Sequence, residues 1–94
     1  MQRIVKEGKW RYSDDYFEKI IIVEQNWDEF YEEGYSDFLP NLNEQGLVYF
    51  IHYGNYYYNE YNNISSSSIS IPFLSQKDAE LFAEKAVSDL KWND

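Results

Sequence analysis

The sequence predicts an α+β fold: an antiparallel β-meander of four to five strands with a C-terminal α-helix packed on one face. Three observations predict it. Residues 16–24 and 47–53 are dense in β-branched and aromatic side chains, which pack well on a pleated surface. Residues 75–90 place Ala79, Phe82, Ala83, Ala86, Val87 and Leu90 at helical spacing on one stripe. Short turn signals, Ser13-Asp14-Asp15, Gly54-Asn55 and Asn62-Asn63, punctuate the strand runs. At 94 residues the chain makes a single domain, and its 20% aromatic content supplies the bulk a small core needs.

Each element follows from its residues. Residues 3–12 carry Ile4, Val5, Trp10 and Tyr12 around Gly8, the pattern of a bulged strand or short hairpin. Residues 16–24 form the next strand, and hairpin pairing with the first is the simplest arrangement. Residues 26–34 fit two readings. Asn26 and Glu29 form a capping box before Trp27, Phe30 and Tyr31, with Gly34 closing a two-turn helix; an acidic loop pinned by its aromatics fits equally. Pro40 and the polar residues around it make residues 35–45 a loop.

Residues 47–53 are apolar on both faces, as expected of a central strand with something packed on each side. Gly54-Asn55 then predicts a two-residue hairpin turn to a return strand at residues 56–61. The four serines after Ile64 have little to pack and suggest a polar face or an edge. Ser75 is the expected N-cap of the closing helix, whose three alanines let it lie close to the sheet with Phe82 as the large knob.

Charge carries the functional information. The net charge is −9, and no Lys or Arg occurs from residue 20 to residue 76. A one-sign field of this kind keeps a protein in solution and steers cationic partners toward it. Direct nucleic-acid binding is disfavoured, because phosphate recognition needs clustered bases. The absence of cysteine removes disulfides and thiolate chemistry. Together with an N-terminus lacking an apolar signal core and no run long enough to span a bilayer, it sets the expectation of a cytoplasmic protein with no membrane contact.

Catalytic signals are absent. His52 is the only histidine and has no orienting partner or nucleophile beside it in sequence, so it reads as a structural residue. The acidic pairs lack calcium-loop spacing and the four glycines stand alone, so neither metal, phosphate nor other cofactor is expected. The sequence therefore points to a binding protein and not an enzyme. The candidate contact residues are Trp27, Asp28, Glu29, Tyr31, Glu32, Glu33 and Asp37, where acids surround aromatic anchors, together with Tyr56, Tyr58 and Glu60 in the tyrosine-rich hairpin. Rigid rings supply contact area while carboxylates raise the rate of encounter. Strand alternation puts Tyr56 and Tyr58 on one face and Tyr57 and Tyr61 on the other.

In size, charge, the strand at 47–53 and the helix at 75–90, the chain resembles the small acidic immunity proteins that bacteria make against their own toxins, including those of contact-dependent inhibition systems. The resemblance implies a partner that is a basic toxin domain, often a nuclease, held so that its active site is blocked. Two other classes fit the same sequence: a nucleic-acid mimic whose carboxylates imitate phosphates to inhibit a host or phage nuclease, and a small accessory subunit or enzyme. Self-association through an exposed sheet edge is a further way to use such a surface.

Overall fold

The computed structural model describes residues 1–31 and 39–93. These residues form a four-stranded antiparallel sheet, a separate two-stranded hairpin and a helix. In chain order they are β1 (Gln2–Ser13), β2 (Tyr16–Gln25), β3 (Val48–Tyr53), β4 (Tyr56–Tyr58), β5 (Ile64–Ser66), α1 (Gln76–Ala86) and β6 (Ser88–Trp92). The large sheet runs β3-β2-β1-β6, and β4 pairs with β5. The α+β class and the antiparallel meander are as the sequence predicts.

β1 and β2 form one long hairpin across a turn at Asp14-Asp15, with register irregularities between Ile4 and Lys6 and between Arg11 and Ser13. Gly8 sits in regular register with Ile20, so the bulges lie elsewhere. Its lack of a side chain serves another contact: a Cβ there would meet the Lys91 carbonyl oxygen at 2.5 Å and the Trp92 ring at 2.9 Å. Only glycine lets β6 lie against β1 at this point.

The sheet is covered on both faces. Ile20, Ile22 and Ile51 point to the helix side, where they pack with Tyr49 against Ala79 and Ala83. Ile21 and Val23 point the other way and pack under Ile64 and Tyr56 of the β4–β5 hairpin. Phe30 adds to that second cover by meeting Phe50 edge-on at 5.9 Å. This double burial explains why β3 is apolar throughout. Its outer edge is closed by the segment after β5: Tyr49 and Phe73 exchange backbone hydrogen bonds, Ser70 N donates to the Ile51 carbonyl, and Tyr53 N donates to the Ser68 carbonyl.

Three local expectations differ. Gly54-Asn55 does not turn β3 back into a hairpin; Gly54 takes a φ of +85° and donates to the Lys19 carbonyl, directing the chain out of the sheet toward β4. The hairpin forms one strand later, at residues 59–63. There the Asn59 carboxamide oxygen accepts from Tyr61 N and Asn63 N, and Asn62 takes a left-handed φ of 59°, as the paired asparagines suggest.

The helix is shorter than predicted and ends at Ala86. Ser75 caps it as expected, its hydroxyl accepting from Asp78 N at 3.1 Å. Val87 is extended, Asp89 adopts a φ of 52°, and residues 88–92 pair with β1. Val87 and Leu90 still reach the core, because a spacing of three satisfies this extended tail as well as a helix. A strand also satisfies the outer backbone groups of β1, which a longer helix would leave unpaired. Phe82 lies on the helix flank against Phe73, with centroids 5.1 Å apart, instead of entering the core.

Candidate functional site

Residues 26–31 are a turn and not a helix. Its organiser is Asp28, whose carboxylate accepts hydrogen bonds from Phe30 N, Asn41 N and the Asn41 carboxamide. Burial alone would raise its pKa, but the donors from Asn41 and Phe30 outweigh it and hold the carboxyl below its ordinary value. Asp28 is only 6% exposed. This corrects the expectation that it faces a partner: it ties the loop to residue 41, because two backbone N–H groups there need an acceptor.

The other predicted contact residues are placed unevenly. Glu29 is exposed and accepts from the Gln25 carboxamide, while Trp27 and Tyr31 are half-buried. Glu32, Glu33 and Asp37 lie outside the described residues. On the hairpin, Tyr56 is half-buried with the Lys19 ammonium 5.7 Å from its ring centre. Tyr58 stacks edge-on against Tyr56 at 6.3 Å, confirming that the two share a face, and is 59% exposed. Tyr57 and Tyr61 are also exposed, Tyr61 to 76%. Glu60 projects from the turn between them. Both faces of the hairpin thus show tyrosine to solvent.

The loop and the hairpin cover the same side of the sheet and meet around a cavity of about 180 Å³ lined by Glu29, Phe30, His52, Ile64, Ser65, Ser66 and Ile69. A second, open groove of about 540 Å³ runs between Tyr58, Tyr61 and the start of β1. His52 is 1% exposed. Its Nδ1 lies 2.7 Å from the Ser66 hydroxyl, which donates its one proton to the Ser68 carbonyl. Ser66 therefore accepts from Nδ1–H, and the bare lone pair is on Nε2, which has no partner among the described residues. Burial lowers the imidazole pKa to about 4. The ring is neutral near pH 7; among the described residues its hydrogen-bond partner is the Ser66 hydroxyl, and no carboxylate is bonded to it to orient it as a base. Among the described residues no three His, Cys, Asp or Glu side chains converge as a metal site.

Sequence reasoning missed a second aromatic surface at the far end of the β1–β2 hairpin. Trp10, Tyr12, Tyr16, Glu18, Tyr53, Gly54, Asn55, Ser67, Ser68 and Val87 line a groove of about 520 Å³. Trp10 and Tyr12 meet edge-on at 5.6 Å, and Tyr12 and Tyr16 at 6.1 Å. The available signal was a pair of aromatics on each side of the Asp14-Asp15 turn. It became visible only once Tyr53 and the serines arrived from distant parts of the chain.

The bases explain the electrostatics of both surfaces. Arg3 pairs with Glu24, Lys6 with Glu80 and Arg11 with Asp89, while Lys9 lies over Phe17 and Lys19 over Tyr56. Of the eight basic side chains, these five are engaged internally. The other three, Lys77, Lys85 and Lys91, lie on α1 and β6. The tyrosine hairpin itself carries no base. No helix among the described residues is long and apolar enough to cross a membrane. No protein-family model, curated protein or solved structure matches this chain, so the chemistry of its surfaces carries the functional reading.

Proposed function

We propose that the protein is a binding module that captures and neutralises a basic protein, in the manner of an immunity protein holding its cognate toxin domain in the cytoplasm. The observation that carries this reading is the β4–β5 hairpin, which exposes Tyr57, Tyr58 and Tyr61 around Glu60 within a stretch devoid of Lys and Arg from residue 20 to residue 76. Exposed tyrosines contribute rigid contact area at small entropic cost. Uncompensated carboxylates steer a cation toward them. Glu29, on the loop beside the hairpin, extends the acidic side of the same face, and Trp27 and Tyr31 flank it in sequence. His52 is buried beneath the hairpin, which favours the binding reading over a catalytic use of its ring.

The test is capture of proteins from the native host by the wild type and by a Tyr58→Ala/Glu60→Lys/Tyr61→Ala variant, at about 0.05 and about 0.5 M salt. The expected result is one basic protein retained by the wild type, weakened by salt and lost from the variant. Retention of a neutral protein, or equal retention by the variant, would refute the assignment. A captured nuclease that the protein displaces from DNA or RNA would identify nucleic-acid mimicry as the form of neutralisation.

A further inference from the structure

We infer that the groove at the tip of the β1–β2 hairpin is a receptor for one arginine side chain of a protein partner. The inference goes beyond the hairpin-face reading, since Tyr12 and Tyr16 lie at the end of the ladder opposite Met1 and Gln2, against which Tyr58 and Tyr61 are set.

Four observations carry it. The first is the wall: Trp10, Tyr12 and Tyr16 form a continuous edge-to-face chain, joined by Tyr53. Ring faces attract cations, and a planar guanidinium stacks on them better than an ammonium does. Burial raises the Tyr53 phenol above its ordinary pKa, so that wall stays neutral.

The second is the charge. Glu18 lines the groove and has no ion pair or hydrogen bond among the described residues. The bases that flank it along the two strands are committed elsewhere: Arg11 to Asp89, Lys9 to the Phe17 ring and Lys19 to the Tyr56 ring. A partly buried carboxylate with no cation, in a groove of rings, is complementary to an incoming positive charge.

The third is the way the site is built. Gly54 lies directly beside Glu18: a Cβ at that position would stand 3.2 Å from the carboxylate oxygen Oε2. Its φ of +85° is one that side chains rarely adopt. Glycine at the exit of β3 thus leaves room for the Glu18 carboxylate at the groove.

The fourth is the number of acceptors. Asn55, Ser67 and Ser68 add polar groups to the lining, which suits the five donors of a guanidinium and exceeds what the three donors of a lysine require. A side chain from a protein accounts for the rim better than a free cation does. Tyr12 is 65% exposed and Tyr16 52% exposed beyond the groove, apolar area that only a larger partner would cover.

The test uses the full chain labelled with ¹⁵N and follows the Trp10 indole N–H resonance during titration with a blocked Gly-Arg-Gly peptide, its citrulline counterpart and spermidine. The arginine peptide is expected to give a saturable shift with a Kd of about 1 mM, the range for a single small group. Glu18→Gln is expected to weaken it about tenfold, as loss of a charge-assisted pair does. Tyr16→Leu serves as a second variant that keeps Glu18 in place and should weaken binding several-fold. Equal affinity for the citrulline peptide, no saturable shift, or unchanged affinity in Glu18→Gln with the rest of its spectrum intact would overturn the inference. Tighter binding of spermidine than of the peptide would overturn the assignment to a protein side chain.

Discussion

Lowering the pH from about 7 to about 4.5 should destabilise the fold chiefly through His52. The imidazole is buried between the sheet and β5, donates its Nδ1–H to Ser66, and has no partner for Nε2 among the described residues, so that protonation there would create a buried cation. Burial moves its pKa from 6.5 to about 4. Because the folded value is the lower one, the unfolded chain binds the proton first. The stability associated with neutral His52 is complete above about 6.5 and is lost as the pH falls toward 4. Each unit of the shift corresponds to about 1.4 kcal/mol, so the full loss approaches about 3 kcal/mol, with about 2.5 kcal/mol of it spent by pH 4.5. Urea unfolding of the wild type and of His52→Asn at both pH values isolates this contribution. Asparagine can still donate to Ser66 but does not titrate, and the carboxylates common to both proteins cancel in the difference. The wild type should lose about 2.5 kcal/mol more than the variant on acidification. Equal losses in the two proteins, or an NMR titration of the His52 ring near its ordinary value, would refute the reasoning.

Two further substitutions probe the frame that holds the surfaces. Gly8→Ala drives a methyl group into the Lys91 carbonyl and the Trp92 ring, and should cost about 1–3 kcal/mol in thermal unfolding, with β6 amides losing hydrogen-exchange protection before those of β2. Asp28→Ala removes the acceptor of Phe30 N and Asn41 N, and should cost about 2 kcal/mol, with faster exchange of those two amides while the Ile20–Val23 amides keep their protection.

The fold was legible where sequence pattern and burial agree. Residues 20–23 and 48–51 are apolar on both faces because helix and hairpin cover both, and Ser75 caps a helix because its hydroxyl can reach Asp78 N. What was not legible depends on long-range competition. The Val87–Leu90 spacing suits helix and strand alike, and the open edge of β1 decided between them. Gly54 supplies a positive φ for either a hairpin turn or an exit, and the nearby Lys19 carbonyl selected the exit. Among the contact residues, Tyr56 and Tyr58 share a face as alternation suggests, whereas Glu60 lies in the turn after β4 and not on a return strand reaching residue 61. Asp28 reads identically to its exposed neighbours until Asn41 is folded against it. The groove around Glu18 was hidden for a related reason, since its walls come from four separate segments of chain.

The aromatic surfaces at the two ends of the molecule follow from a mismatch of lengths. An 11-residue helix spans about 16 Å, whereas the 12-residue β1 extends about 40 Å, close to the 45 Å long axis of the molecule. The helix can therefore cover only the middle of the ladder, where Ile20, Ile22 and Ile51 lie beneath Ala79 and Ala83. Beyond that cover, the β1–β2 ladder continues to Tyr12 and Tyr16 at one end and to Gln2 and Ile4, facing Tyr58 and Tyr61, at the other. Leucine or isoleucine there would leave bare apolar patches prone to self-association. Tyrosine keeps the contact area while its hydroxyl stays hydrated. The bases follow the same geography: Arg3, Lys6 and Arg11 of β1 pair with carboxylates and Lys9 and Lys19 lie over rings, whereas Glu18 and Glu60 have no ion pair among the described residues. A charge pattern serving solubility alone would not need a carboxylate set among rings with no ion pair among the described residues, and that pairing of carboxylate with aromatic is the arrangement on which the proposed recognition of a cation rests.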